Sequence, residues 1–206
     1  MAEYEAAIAP RKAALFAKLA GAVDIAEVGL GAGPNLRYYP RGVTTVVGIE
    51  PNEYMDAFAS RAAAAAGVAL QVRRGVAEAL PLADGSVDAV VATLVLCTVR
   101  DPAAALREVA RVLRPGGCYV FVEHVAADAA AAPLLALSQR ALDPAQQLLA
   151  GGCHLTRDTG GLITRACGDG GLFETLELER FDAPRAWPIT PHVAGIARKG
   201  LRKGAV

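Results

Sequence analysis

Short runs of aliphatic and β-branched residues alternate with longer segments of helical composition over the first 125 residues. Five runs have the length and composition of buried strands, at 23–30, 44–51, 69–75, 87–96 and 118–125. Two segments between them predict helices, at 52–67 and 101–117. Gly67 stands at a helix C-terminal position, and Asp101 with Pro102 is a helix-start signal. Strands separated by helix-length segments predict an α/β fold with a doubly wound, mostly parallel sheet.

The alternation breaks after residue 125. Residues 126–168 form a helical and loop-rich stretch that contains "GGCHLTRDTGG", and strand-like runs follow at 172–181 and 191–199. Such an insertion at the carboxyl edge of a sheet predicts a lid, with a structural crossover as the alternative. The first 21 residues mix charged and apolar positions as an amphipathic helix does. We expect one domain of four parts: a cover helix at 1–22, a cofactor-binding core at 23–125, a helical lid or substrate insertion at 126–168, and C-terminal strands at 169–199.

Composition narrows the classes of protein to consider. The 206 residues are 53% hydrophobic and 20% charged, enough for one sizeable core. Lysine plus arginine equals aspartate plus glutamate at 21 each, so no net field favours a nucleic-acid partner. No run approaches the roughly 18 to 20 apolar residues of a spanning helix. We expect a soluble, cytoplasmic protein without a transmembrane segment, with peripheral membrane association as the alternative.

The four cysteines, Cys97, Cys118, Cys153 and Cys167, lie far apart in the sequence. They form no CxxC pair, and no histidine stands at zinc-finger spacing from them. We expect reduced cysteines, no disulfide framework and no metal site.

The stretch "AEVGLGAGPNLRYYP" at 26–40 predicts a ligand loop between the first strand and its helix. Gly29, Gly31 and Gly33 stand where a Cβ would block close approach or a left-handed backbone. A dinucleotide fingerprint requires its third glycine at position 34, which is Pro34 here. Glu27, just before the loop, suits a cationic amino group better than a pyrophosphate.

A second acid, Glu50, ends the second strand about twenty residues after the loop. A carboxylate at this position can accept hydrogen bonds from both hydroxyls of a ribose, although an acid at a strand end is often only solvated. Together the loop, the acid and the strand order predict an adenosine-containing ligand that lacks a pyrophosphate.

Four motifs in order resemble class I S-adenosylmethionine-dependent methyltransferases, whose fold is Rossmann-like: "EVGLGAG", "GIEPNEYM", "RRGVAEALPLADGSVDAVVATLVL" and "REVARVLRPGG". The resemblance implies S-adenosylmethionine as cofactor and S-adenosylhomocysteine as product. In that family the acid and glycines of the loop wrap the methionine moiety, the acid matching Glu50 holds the ribose, and a side chain matching Met55 covers the adenine. The implied cofactor-binding residues are Glu27, Gly29, Gly31, Gly33, Asn35, Glu50, Pro51, Met55, Val76, Ala77, Glu78, Thr93 and Leu94.

The chain departs from that family's pattern at Val76, because many relatives have Asp-Ala-Glu where this sequence has Val-Ala-Glu. The adenine amino group thereby loses one side-chain acceptor. Backbone groups and Glu78 remain nearby.

The flanking segments "GPNLRYYP", "TLVLCTVRDP", "LDPAQQLLAGGCHLTRDT" and "WPITPHVAGIARK" resemble the methyltransferase-like protein 7 group. Members of that group are associated with methylation of alkyl thiols, so the resemblance implies a small thiol as the methyl acceptor. Animal members carry an N-terminal hydrophobic anchor. We expect this chain to lack one.

Methyl transfer from a sulfonium requires alignment more than acid-base chemistry, and a thiol of pKa near 8.5 needs little help to ionise. His124, at the end of the fifth strand, is the candidate base, with a buried structural histidine as the alternative. The candidate substrate residues are Tyr4, Cys97, His124 and His154. His192 is expected to be structural.

Other functions remain open at this point. An N-, O- or C-methyltransferase of a lipid, a quinone or another small metabolite would share the same motifs. A cofactor-binding protein without catalysis would also keep an intact loop. Pro34 argues against a nicotinamide-dependent dehydrogenase.

Overall fold

A computed structural model describes residues 2–43 and 45–201. Met1, Thr44 and residues 202–206 lie outside the described residues, so the first positions of the predicted cover helix and second strand are not covered. Within this part of the chain, the strands are β1 Asp24–Val28, β2 Thr45–Ile49, β3 Leu70–Arg73, β4 Val87–Thr93, β5 Leu113–His124, β6 Thr175–Asp182 and β7 Pro191–Arg198. The α-helices are α1 Ala2–Ala17, α2 Asp56–Ala66, α3 Pro102–Val112, α4 Pro133–Leu149 and α5 Thr159–Arg165.

The strands form one sheet in the order β3, β2, β1, β4, β5, β7, β6. The pairs from β3 to β5 are parallel, whereas β7 runs antiparallel to both β5 and β6. This confirms the predicted α/β fold with a doubly wound, mostly parallel sheet. The strand order reverses between β1 and β4, so a crevice opens outside their carboxyl ends.

Apolar side chains cover both faces of the sheet. Neighbouring residues of one strand enter opposite layers, as Val90 and Val91 of β4 show. One layer joins the sheet to α3 and α5, and the other joins it to α1 and α2. Strands buried on both faces explain why the sequence shows continuous apolar runs instead of strict alternation.

Two of the three predicted helix signals hold. Asp101 caps α3, because its side chain accepts a hydrogen bond from the Ala104 N–H at 2.9 Å, and Gly67 ends α2 with φ 68°. The predicted end of α3 at Pro-Gly-Gly is wrong, since α3 ends at Val112 and the residues from Leu113 onward belong to β5. The reason is local: the residue before Pro115 disfavours helical backbone.

Helix α1 lies beside the crevice, and the insertion packs behind it. Lys12 of α1 is 2% exposed and donates two hydrogen bonds to Glu5, at 3.0 and 2.8 Å. Gln139 of α4 is buried and ties the insertion to the residues around it, accepting from the Ala127 N–H at 2.7 Å and donating to the Pro188 carbonyl at 3.0 Å. Among residues 2–43 and 45–201, no helix has both the length and the apolar character needed to cross a membrane.

Candidate active site

The glycine loop follows β1 directly and has a left-handed backbone at each predicted glycine. The φ angles are 69° at Gly29, 53° at Gly31 and 76° at Gly33. A Cβ on Gly29 would lie 2.5 Å from Val95 Cγ2, and one on Gly33 would lie 2.7 Å from Leu36 Cδ1. Backbone conformation and packing together therefore require glycine at the first and third positions, and conformation alone favours it at the second.

Glu50 joins the end of β2 to the glycine loop. Its Oε2 accepts a hydrogen bond from the Gly31 N–H at 2.8 Å, and its Oε1 accepts from the Asn52 N–H at 3.0 Å. The side chain is only 8% exposed, and it lines a cavity. Because a carboxylate has about four acceptor positions, two of them remain for hydroxyl groups of a ligand.

Two cavities lie on either side of the glycine loop and share Gly29 and Leu94 as lining residues. The first, of about 600 Å³, is also lined by Glu50, Pro51, Val76, Ala77 and Glu78. The second, of about 730 Å³, is also lined by Tyr4, Gly31, Gly33, Asn35 and Thr93. The structure thus brings together the predicted cofactor residues other than Glu27 and Met55. Met55 is half-buried in a short 3₁₀ turn, Glu53–Met55, and does not line either cavity.

Glu27 lies beneath the loop. Its carboxylate is fully buried and accepts hydrogen bonds from Asn35 Nδ2 at 2.9 Å and from the Tyr39 hydroxyl at 2.7 Å. Burial raises the pKa of Glu27 to about 7, and the two hydrogen bonds oppose that rise. The observed role of this acid is to hold Asn35 in one orientation.

Asn35 is 2% exposed and lines the second cavity. Its Nδ2 also donates to Thr93 Oγ1 at 3.2 Å, so the amide nitrogen is fully engaged. Its Oδ1 is buried and has no hydrogen-bond partner among the residues that the structure describes. A buried acceptor without a partner costs free energy, and a cationic donor in the cavity would satisfy it.

The adenine side of the first cavity has few polar side chains. Val76 is 48% exposed and offers no acceptor. Glu78 Oε1 accepts from the Arg100 N–H at 2.7 Å and the Asp101 N–H at 3.2 Å, so it holds the start of α3 while it lines the cavity. This wall can recognise a flat ring by apolar contact and backbone groups.

Leu94 has an unusual backbone between the two cavities. Its φ is 58°, a left-handed value that non-glycine residues seldom adopt, and its N–H donates to the Val122 carbonyl at 2.8 Å. Strained residues of this kind are held in place by their surroundings and cluster at functional sites. Its position at the junction of the cavities fits such a role.

Tyr4 and His192 form a pair that the sequence did not predict. The Tyr4 hydroxyl lies 2.7 Å from His192 Nε2, and His192 Nδ1 lies 3.0 Å from the Thr190 carbonyl. Because a carbonyl only accepts, Nδ1 carries the proton and Nε2 accepts from Tyr4. Burial lowers the pKa of His192 to about 4 and raises the pKa of Tyr4, so both are neutral at pH 7. The pair joins residues 188 positions apart, a separation at which sequence patterns carry no pairing signal.

The other candidate substrate residues lie one layer behind the cavities. His124 is 2% exposed, its Nε2 lies 3.0 Å from Cys153 Sγ, and it lines neither cavity. Cys97 is buried beside it, and the mutual hydrogen bond of the two cysteines raises the pKa of Cys97 and lowers that of Cys153. His154 is half-buried, with its Nδ1 3.9 Å from Asp143. The insertion at 126–168 therefore meets Cys97 and His124, and lines neither cavity.

Residues 26–121 match a family described as a methyltransferase domain. Thiol S-methyltransferase TMT1A of Homo sapiens is 40% identical over 207 residues, which cover 95% of this chain and 81% of the human protein. Thiol S-methyltransferase TMT1B of Rattus norvegicus is 38% identical over 182 residues, which cover 86% of this chain and 71% of the rat protein.

Solved structures with similar folds include an S-adenosylmethionine-dependent methyltransferase from Mesorhizobium loti. Its TM-score is 0.67 at 21% identity, with 94% of this chain and 98% of that chain covered. The [4+2]-cyclase SpnF has a TM-score of 0.70 at 22% identity, with 94% and 82% covered. Since one of these two proteins is described as a cyclase, the fold alone does not determine the reaction.

Proposed function

Since this chain belongs to the thiol S-methyltransferase family and is an S-adenosylmethionine-dependent methyltransferase, we propose that it methylates the sulfur of a small thiol. The observation that carries the proposal is the meeting of two cavities at Gly29 and Leu94. One cavity has the features of a nucleoside site, and the other is lined by the neutral phenol of Tyr4.

The cofactor would be held by residues of both cavities. Glu50 would accept hydrogen bonds from the ribose hydroxyls, and Asn35 Oδ1 would accept one from the ammonium group. Pro51, Val76 and Ala77 would contact the adenine ring. When bound, S-adenosylmethionine supplies an activated methyl group on a sulfonium sulfur, and S-adenosylhomocysteine is the product.

The acceptor would lie in the second cavity near Tyr4, Thr93 and Leu94. The Tyr4 hydroxyl donates a hydrogen bond to His192 Nε2, so its oxygen retains lone pairs that can accept a hydrogen bond from an S–H group. Glu5, which lines the same cavity, is ion-paired with Lys12 at 2.8 Å and is not a free base. A thiol suits this cavity better than a phenol or an alcohol, because its ionisation requires no strong base.

The direct test offers methyl-labelled S-adenosylmethionine with a panel of thiols, phenols, amines and lipids, and identifies the labelled product by mass spectrometry. We expect label on the sulfur of small thiols. If every thiol fails while an amine or oxygen acceptor is methylated, the thiol proposal is wrong and the methyltransferase assignment stands.

A substitution at Tyr4 tests the location of the acceptor. Tyr4→Phe removes the hydroxyl that would accept a hydrogen bond from the thiol. The KM of the thiol should therefore rise about 5-fold, which corresponds to the loss of one hydrogen bond of about 1 kcal/mol. The Kd of S-adenosylhomocysteine should stay unchanged. The control is Tyr54→Phe, since Tyr54 is 77% exposed and lines neither cavity. An equal change in both constants would indicate a general structural effect of the substitution.

A further inference from the structure

Three buried side chains from separate parts of the chain meet behind the two cavities. Cys97 follows β4, His124 ends β5, and Cys153 lies in the insertion after α4. They are 2%, 2% and 8% exposed. One donor atom from each, two Sγ atoms and a ring nitrogen, all lie within 4.8 Å of one another. We call these three residues the Cys-His-Cys cluster.

Hydrogen bonds to the surrounding backbone hold the cluster in place. The His154 N–H donates to the Cys97 carbonyl at 2.9 Å, which links the segments that carry the two cysteines. Arg157 Nη1 donates to the carbonyls of Leu96 and Val99, at 2.6 and 2.7 Å. These contacts fix the main chain on both sides of Cys97, so the donor atoms stand close together without a ligand.

The donor set suits one class of ligand. Two thiolates and an imidazole are the ligands that Zn²⁺ prefers, at about 2.3 Å for sulfur and about 2.0 to 2.1 Å for nitrogen. Zn²⁺ with two thiolates is electrically neutral, which favours burial over two uncompensated anions. His124 Nδ1 is also buried and has no partner among the described residues, so the ring's polar groups are not fully engaged by the protein.

The cluster has three protein donors, and within residues 2–43 and 45–201 no fourth histidine, cysteine or acid joins it. Structural zinc sites have four protein ligands, whereas catalytic ones have three and an open position. Thr98, which lines the first cavity, places its Oγ1 3.5 Å from Cys97 Sγ. His192, the partner of Tyr4, has its ring centre 6.4 Å from that of His124. Single side chains therefore separate the cluster from both cavities.

We propose that Cys97, His124 and Cys153 bind one Zn²⁺ ion through two thiolates and one imidazole, with a small ligand such as water in the fourth position. On binding, each of the two cysteine S–H groups releases its proton to solvent and a zinc–sulfur bond forms in its place. The ion would join the segment after β4, the end of β5 and the insertion, and would stabilise the packing of the insertion behind the two cavities.

The test replaces zinc with Co²⁺, because tetrahedral thiolate-bound Co²⁺ absorbs intensely in the visible and shows thiolate charge transfer in the near ultraviolet. Metal-free protein, kept reduced, is titrated with Co²⁺ and then with Zn²⁺. We expect one equivalent of Co²⁺ with the tetrahedral spectrum, displaced by one equivalent of Zn²⁺. Cys97→Ser and Cys153→Ser should each weaken Co²⁺ binding at least 10-fold. The control is Cys167→Ser, since Cys167 donates to the Ile163 carbonyl and lies outside the cluster.

A second arm measures thermal unfolding of the metal-free protein with and without one equivalent of Zn²⁺. Zinc should raise the Tm of the wild type and leave that of Cys153→Ser unchanged, because a bound ion stabilises only the state that binds it. Absence of a tetrahedral Co²⁺ spectrum, or Co²⁺ binding by the two cysteine variants as tight as by the wild type, overturns the metal site.

Discussion

Two buried acids near the glycine loop differ in role because their surroundings differ. Glu27 and Glu50 flank the glycine loop in sequence, and both carboxylates accept hydrogen bonds from neighbouring residues. Glu27 is fully buried and lines neither cavity, whereas Glu50 lines the first. Only Glu50 therefore has acceptor positions directed at a ligand.

The first prediction concerns the Glu50 carboxylate. Glu50→Ala should weaken the binding of S-adenosylhomocysteine by about 1 to 3 kcal/mol, or about 5- to 150-fold, because charge-assisted hydrogen bonds to the ribose are lost. Isothermal calorimetry measures this directly. Glu53→Ala is the matched control, since Glu53 is exposed on the next turn. Unchanged affinity in Glu50→Ala would remove the ribose assignment.

The second prediction concerns the neutral His192. Burial lowers its pKa from 6.5 to about 4, so between these values the unfolded chain binds a proton that the folded protein does not. Its contribution to stability is complete above pH 6.5 and is lost as the pH falls to 4. The folded protein should lose up to about 3 kcal/mol over that window relative to His192→Gln. Glu27 and Glu123, whose pKa values burial raises to about 7, change stability in the opposite direction.

Urea unfolding at several pH values measures this difference, because subtraction of the variant's curve removes the contribution of the two acids. His154→Gln serves as the control, since that ring is half-buried at the surface of the insertion. A constant difference between wild type and His192→Gln from pH 7 to 4 would contradict the neutral, buried state of His192.

At the scale of elements, the glycine loop has a conformational requirement, and we propose a functional one as well. Gly31 has φ 53° and Gly67, at the end of α2, has φ 68°, and a Cβ would meet no atom within 4 Å at either position. A residue with a Cβ would therefore be similarly strained at either position. The two positions differ in that only Gly31 lines one of the two cavities.

This pair separates strain from function. Gly31→Ala and Gly67→Ala should each destabilise the protein by about 1 to 2 kcal/mol, the cost of a left-handed backbone for a residue with a Cβ. Only Gly31→Ala should also weaken the binding of S-adenosylhomocysteine, by at least 10-fold. Denaturant unfolding and calorimetry on both variants check this. Equal affinities in the two variants would show that the loop does not approach the ligand closely.

The insertion shows how an element can take part in a site that its sequence does not reveal. No residue of the insertion, which was predicted to be a lid, lines either cavity. The insertion instead supplies Cys153 and Arg157 to the region behind the cavities. That the insertion acts as a lid over the acceptor stays a prediction. Helix α1 contributes Tyr4 directly to the second cavity.

At the scale of the whole molecule, a ligand bound at the carboxyl ends of the central strands should stabilise the entire domain. S-adenosylhomocysteine at 100 times its Kd should raise the free energy of unfolding by about 2.7 kcal/mol. For a domain of this size, that corresponds to a rise in Tm of about 5 to 10 °C. Thermal unfolding with and without the ligand measures it. A nicotinamide dinucleotide should cause no shift, and a shift of equal size would indicate a different cofactor class.

The order of strands and helices could be predicted from the sequence, because it depends on local composition and on short-range signals such as Asp101 and Gly67. The glycine loop and Glu50 could also be located, since both lie within a continuous motif whose spacing reflects one strand, one turn and one helix; their cofactor roles stay predictions. The end of α3 was misplaced by a few residues, although the local signal, the residue before Pro115, is present in the sequence. Pairing of Leu113 with β4 then continues the chain as a strand.

Which distant side chains meet depends on the tertiary fold. The antiparallel place of β7 between β5 and β6 brings His192 beside His124, and α1 then delivers Tyr4 to the same point. The approach of Cys97 to Cys153 depends likewise on how the insertion packs behind β4 and β5. These contacts join residues that are tens to nearly two hundred positions apart in the sequence. They form because the helices and the insertion pack against the sheet and bury its two faces. No periodicity or spacing in the sequence encodes such a meeting.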